Sequence, residues 1–336
     1  MRNRQKLTMP NWTNSPSLEL ICSRVQGSTS KRRFLIFVVP RRGAPSPLLR
    51  VLNVERNFDI AARFYEEPGV NERLADGAEY VMSGGLSKFH AAALFLDENA
   101  LHTAYDGYFF LDGDLEFDPA QLNHFLSFVS AAGMDLAQPA LTRDSYSYWN
   151  MAYHQPGYIF RKTSFVEVMA PYLSRAALSK TRGTFTRSIS TYGLDLVWPA
   201  LIGGSAICVV DAFQIRHRER VDHRSGGFYN YLKSIGVDLD EEERRLLADY
   251  GVAAERAHSR TGYFWKQPWP LSHRPPRLVS VPLGGPEKRL RKQFLLDSAM
   301  HLARLRPGRE EHSEGQLEIA IGPHLSGSRI SSSPVE

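Results

Sequence analysis

One stretch constrains this chain more than any other. Tyr108-Phe109-Phe110-Leu111 runs straight into Asp112-Gly113-Asp114, with Glu116 and Asp118 close behind. Four apolar residues ending in carboxylates read as a buried strand whose end opens on polar surroundings. Two neighbouring carboxylates repel unless a cation or a proton neutralises one of them. Gly113 between them lets the backbone turn sharply and leaves room for a ligand.

The sequence around this strand alternates between two periods. Residues 32–40 form an apolar, β-branched run closed by Pro40, as expected of an interior strand. Residues 57–67 mix periods and fit a strand or a helix. Residues 78–98 read as a short strand, a Gly84-Gly85 loop and a helix capped at Ser87 or in the loop before it. Asp118-Pro119 offers an N-cap and a first-turn proline to a helix carrying Leu122, Phe125, Leu126 and Val129, which Gly133 stops. Residues 135–141 read as extended. Residues 163–180 read as one helix with a kink at Pro171, and Ser164 and Glu167 have capping-box spacing. Residues 190–203 read as a loop opening a short helix, 205–213 as a strand, 239–252 and 286–305 as helices.

Strands alternating with helices predict an α/β protein with a sheet covered on both faces. Ligands of such sheets bind beyond the carboxyl ends of the strands, where Asp112 and Asp114 fall. The domain organisation expected is a mobile basic segment over 1–31, a catalytic domain over 32–235, a helical extension over 236–305 and a disordered tail over 306–336. No internal repeat is visible.

The acidic loop admits several readings. A divalent metal that also binds a phosphate would neutralise the pair, and hard oxygen ligands suit manganese or magnesium. A purely structural loop capping the next helix is the bland alternative, and Asp118 reads as only that. An EF-hand loop fails because its sixth position is Phe117 rather than Gly. An aspartyl phosphatase calls for a small hydroxyl residue where Glu116 stands.

Beyond these local readings, residues 110–142 are similar to a segment of a plant and bacterial family catalogued as domain of unknown function 707. Residues 164–178, 192–199 and 209–217 match it further, in that order, as do the earlier 57–67 and 84–95. The resemblance spans roughly residues 32 to 220. That family in turn resembles the nucleotide-sugar glycosyltransferases of the A-type fold. The resemblance implies a Rossmann-like, mostly parallel mixed sheet with helices on both faces. It implies that Asp112 and Asp114 hold a metal on the donor's diphosphate, that His217 completes the metal shell and that Asp195 is the catalytic base. Leu194 departs from the pattern, because many of these transferases carry an acid just before the base. Lys88, Arg216 and Arg218 are candidates for the phosphates, with the free N–H groups of the helix after the Gly-Gly loop. Trp149 and His154 are candidates for the acceptor site or for the core. Asp211 reads as a structural hydrogen-bond acceptor.

The expected activity is metal-dependent, inverting transfer of a sugar from a nucleotide-sugar donor to a saccharide or glycolipid acceptor. The rivals are a metal-dependent phosphohydrolase and an inactive nucleotide- or carbohydrate-binding module. The bulk numbers exclude little. A net charge of +5 is mild, and no recognition motif accompanies it, so nucleic acid is not expected as a partner. Two cysteines, Cys22 and Cys208, make no disulfide framework, which favours a reducing, cytoplasmic setting. The basic helix over 286–305 suggests peripheral contact with a membrane surface.

Overall fold

The computed structural model of the protein describes residues 17–24, 32–41, 43–147, 149–203, 206–219, 227–253 and, in backbone alone, 259–264. The helix expected over 286–305 and the tail over 306–336 lie outside the described residues.

The strands in chain order are β1 (Leu18–Ser23), β2 (Phe34–Val38), β3 (Phe58–Phe64), β4 (Tyr80–Gly84), β5 (Gly107–Leu111), β6 (Leu115–Glu116), β7 (Leu136–Leu141), β8 (Tyr158–Thr163), β9 (Tyr172–Ser174), β10 (Ile207–His217) and β11 (Ser259–Phe264). The α-helices are α1 (Glu72–Gly77), α2 (Lys88–Glu98), α3 (Leu122–Ala131), α4 (Arg175–Thr181), α5 (Leu194–Ile202), α6 (Gly227–Ser234) and α7 (Leu239–Asp249). The strands form one mixed sheet in the order β1-β4-β3-β2-β5-β9-β7-β10-β8-β11, with β6 paired to β10. Neighbours from β4 through β3 and β2 to β5 run parallel, as do β7 and β10; the other pairs are antiparallel. This is the α/β class that the alternation of periods predicts.

Strands β2 and β5 are apolar on every position because both faces of the sheet are covered. Phe34, Ile36, Val38, Phe109 and Leu111 join Leu122, Phe125 and Leu126 of α3 on one face. Leu35, Phe37, Tyr108 and Phe110 join Phe89 and Phe95 of α2, Trp198 of α5 and Leu246 of α7 on the other. Each such side chain contributes roughly 1.5–3 kcal/mol on burial. The ends of the central strands, the acidic loop among them, are therefore held by a core on both sides.

Several elements fall where the sequence places them. Residues 58–64 resolve as strand, and Asp118 Oδ1 accepts from Ala120 N at 3.1 Å ahead of α3. Three elements differ. Ser259–Phe264, inside the extension expected to be helical over 236–305, is the strand β11 paired with β8. Leu18–Ser23, expected in a mobile segment, is a strand paired with β4. The single helix expected over 163–180 is instead coil, then β9, then the short α4, whose cap is Ser174 accepting from Ala177 N. The apolar run there belongs to the sheet: Phe110 N donates to Pro171 O at 3.0 Å and Asp112 N to Met169 O at 3.0 Å. Pro171 cannot donate and biases the preceding residue to extended backbone, so the helix starts only beyond it. Glu167 therefore caps no helix.

Asp211 behaves as the structural acceptor expected. It is fully buried and takes Arg161 Nε at 2.8 Å and Nη2 at 3.0 Å, with Gln155 N at 2.8 Å. Asp211→Ala leaves a buried guanidinium without its counter-charge and is expected to cost about 3–5 kcal/mol in urea unfolding. A loss below about 1 kcal/mol, the scale of an exposed pair, would contradict a paired interior charge.

Candidate active site

The strand β5 delivers Asp112 to the sheet's carboxyl end, and the backbone packs tightly there. A Cβ on Gly113 would lie 2.3 Å from Val39 O and 2.5 Å from Arg41 N, so the turn between the two acids admits only glycine without backbone movement. The carboxylates part company at this turn. Asp112 Oδ1 meets Lys88 Nζ at 2.6 Å, and Asp114 Oδ2 meets His217 Nε2 at 2.9 Å.

Lys88 opens α2 directly after the Gly84-Gly85 turn. A Cβ on Gly85, at φ +72°, would lie 2.6 Å from Ala91 Cβ, so the loop and helix approach as closely as a glycine permits. Besides Asp112, Lys88 Nζ donates to Val168 O at 2.6 Å and to Met169 O at 3.3 Å. An ammonium has three donors, and these three acceptors use them. Burial pushes the Lys88 amine down and the Asp112 carboxyl up, each opposed by the charge of the other.

His217 ends β10, and Tyr146 O accepts from its Nδ1 at 2.6 Å while its backbone N donates to Ser145 Oγ at 3.0 Å. Both ring nitrogens thus face acceptors, so the imidazole carries two protons here. Burial alone would lower its proton affinity, but the Asp114 carboxylate outweighs that and pushes it up to about 9. Burial likewise works against ionised Asp114, and the His217 hydrogen bond overcomes it and holds that carboxyl low.

Among the described residues, no three His, Cys, Asp or Glu side chains converge as a ready-made metal cluster. Asp114 and His217 still fit a divalent ion as a pair. They are oxygen and nitrogen donors side by side, and the Nδ1 bond to Tyr146 fixes the tautomer that turns an Nε2 lone pair to a cation once the proton leaves. Magnesium commonly takes few protein ligands and fills its shell with phosphate and water. Asp112, engaged by Lys88, is not placed as a third direct ligand.

Other candidates stand farther back. Arg216 is half exposed and held by Glu116 at 3.0 Å and Asp144 at 2.7 Å. Arg218 N donates to Asp114 O at 3.1 Å, and its side chain pairs with Glu116. Asp195 lies in the first turn of α5, with Gly193 as the cap. Burial raises the Asp195 carboxyl well above the usual range, and the charges of Glu243 and Glu167 add to this. Leu194 is fully buried in the core, so the acid nearest in effect comes from other segments. Trp149 packs on Phe165 in a tilted arrangement with centroids 4.4 Å apart, and His154 is largely buried beside Asp211.

Arg63 escapes sequence reasoning, which assigns Glu167 to a cap instead of to the site. Arg63 on β3 is fully buried, donates to the carbonyls of Gly84 and Gly85, and lies over the Tyr65 ring at 3.3 Å, which ties down the loop before Lys88. Glu167, read from spacing as a cap, is buried beside the acidic loop, and burial pushes it up to about 7.

No family model matches the chain, and no curated protein matches it significantly. Membership of domain of unknown function 707 therefore gains no support. Solved structures do match. GalNAc-T7 with UDP, GalNAc and Mn2+ aligns over 65% of this chain and 51% of its own, at 11% identity and a TM-score of 0.41. S. aureus TarS aligns over 65% of this chain and 42% of its own, at 12% identity and a TM-score of 0.38. Residues 1–349 of S. aureus TarS in complex with UDP align over 65% of this chain and 70% of that one, at 12% identity and a TM-score of 0.36. The chain spans about half the length of the first two. No helix of the described residues is long and apolar enough to cross a membrane.

The buried Glu167 makes stability depend on pH. Its folded form holds the proton up to about 7, against an ordinary value of 4.5, so the stability it brings is full below 4.5 and lost as pH rises through 7. By linkage that loss is on the order of 3 kcal/mol. Glu167→Gln removes it. The melting temperature of the variant relative to wild type is expected to climb between pH 4.5 and pH 8, and a gap that does not change with pH would contradict the assignment.

Proposed function

We propose that this protein is a glycosyltransferase that moves a sugar, with inversion, from a nucleotide-sugar donor to a saccharide or glycolipid acceptor. The observation that carries the reading is the pair Asp114 and His217, 2.9 Å apart at the carboxyl end of the central parallel strands. Sheets of this class bind ligands there. Asp114 and His217 are the residues that would hold a divalent ion, manganese or magnesium. Bound there, such an ion would offset the charge of the departing diphosphate.

The chain's own groups do the rest. Lys88 neutralises Asp112 and fixes it against the 168–169 backbone, which leaves Asp114 and His217 to meet the donor. With its three donors engaged, Lys88 acts on the phosphates by charge and not by a further hydrogen bond. Arg216 stands at the rim, where its guanidinium can meet phosphate by giving up an exposed acid. Asp195 takes the proton of the attacking acceptor hydroxyl; burial, which raises its proton affinity, makes its ionised form a stronger base. General base catalysis of this kind contributes about 10²–10⁴-fold.

The test is thermal stabilisation by UDP and GDP, each with and without Mn2+. Wild type is expected to shift upward with one nucleotide plus Mn2+, and Asp114→Ala to abolish the shift. An equal shift in Asp114→Ala, or none with either nucleotide, would contradict the site.

A further inference from the structure

Glu167 has no structural task that calls for a carboxyl. It lies in coil between β8 and β9 and is only 5% exposed. Its Oε1 accepts from Ser147 Oγ at 2.6 Å, and its backbone N donates to Gln138 Oε1 at 2.6 Å. Its Oε2 is buried and has no hydrogen-bond partner. A buried polar atom left in that state costs about 1–3 kcal/mol. An apolar residue of similar size would fill the place without that cost.

Its position links the two halves of the site. On one side, Ser147 belongs to the turn whose Ser145 and Tyr146 hold His217. On the other, Val168 and Met169, the next two residues, supply the carbonyls that hold Lys88 and the Asp112 backbone N–H. The circuit runs from Asp114 to His217, through the 145–147 turn to Glu167, along the chain to Met169, and from its carbonyl to Lys88 and Asp112. A third neighbour is α5: Leu196, beside Asp195, packs with Trp149 against Phe165, two residues before Glu167. The electrostatics agree, since Glu167 feels the charge of His217 and Asp195 feels that of Glu167. An unpartnered oxygen on the segment that joins the His217 turn to the Lys88 anchor lacks one hydrogen-bond donor, and a ligand hydroxyl supplies one.

We propose that Glu167 Oε2 accepts a hydrogen bond from a hydroxyl of the saccharide acceptor, adjacent to the hydroxyl that Asp195 deprotonates. This rests on the transferase reading. Glu167 then sets which acceptor is taken, while the donor end stays with Asp114 and His217.

The experiment uses the full chain with a panel of UDP- and GDP-sugars and Mn2+. Release of UDP or GDP is followed with water alone and with a series of methyl glycosides. A glycoside is expected to accelerate release by wild type in a saturable way. At pH 8, where Glu167 is ionised, Glu167→Gln and Glu167→Met are expected to raise the KM for that glycoside about 10- to 100-fold, the loss of one hydrogen bond to a charged group. The readout is the glycoside KM beside the rate of water-driven release measured on the same variant, and melting temperatures verify folding. Unchanged glycoside KM in both variants, or no glycoside accelerating wild type, overturns the proposal and leaves the transferase reading standing. No release by wild type from any donor overturns both.

Discussion

Asp112 and Asp114 leave a strand that is buried on both faces, and two carboxylates in that setting are stable only where cations answer them. The chain answers each separately. Lys88 comes from the start of α2, and His217 from the end of β10, more than a hundred residues away. Gly113 makes the division possible, because only a residue without Cβ fits between the acids against the backbone of Val39 and Arg41. Without Lys88, Asp112 would stand as an unbalanced charge behind the site. Without His217, Asp114 would.

The rest of the sheet serves this arrangement. The parallel run β4-β3-β2-β5 brings the Gly84-Gly85 loop, the loop after β3 and the acidic loop to one end. The parallel pair β7 and β10 brings His217 and the 145–147 turn to the same end. The short antiparallel β9 lies between these halves, and the coil ahead of it carries Glu167, Val168 and Met169 into the site. A break in this segment would separate Lys88 from its carbonyls and Glu167 from Ser147. The two cation-bearing residues would then lose their common frame.

What the sequence showed follows from the kind of force at work. The central strands were legible because burial on both faces demands unbroken apolar runs. Helix α3 was legible because Asp118 and Pro119 cap it locally, and α7 because its period and its Asp238 cap are local too. The segment 163–180 was misread because Ser164 and Glu167 mimic a capping box, while the forces that decide it are hydrogen bonds from Phe110 and Asp112 on a strand sixty residues earlier. Strand β1 was missed because its apolar run is short and set among polar residues, and as an edge strand it takes its conformation from its partner β4. At the site, Asp112, Asp114, Lys88 and His217 were each singled out and do come together. That Lys88 is spent on Asp112 was invisible, since no local spacing encodes the pairing.

The central claim is that Asp114 and His217, and not Asp112, hold the cation that meets the diphosphate. A crystal of the full chain grown with UDP and Mn2+ tests it most directly, through the anomalous signal of the manganese. The account predicts one peak in contact with Asp114 and His217, with Asp112 still paired to Lys88. Manganese bound elsewhere, or UDP bound away from the acidic loop, would contradict it.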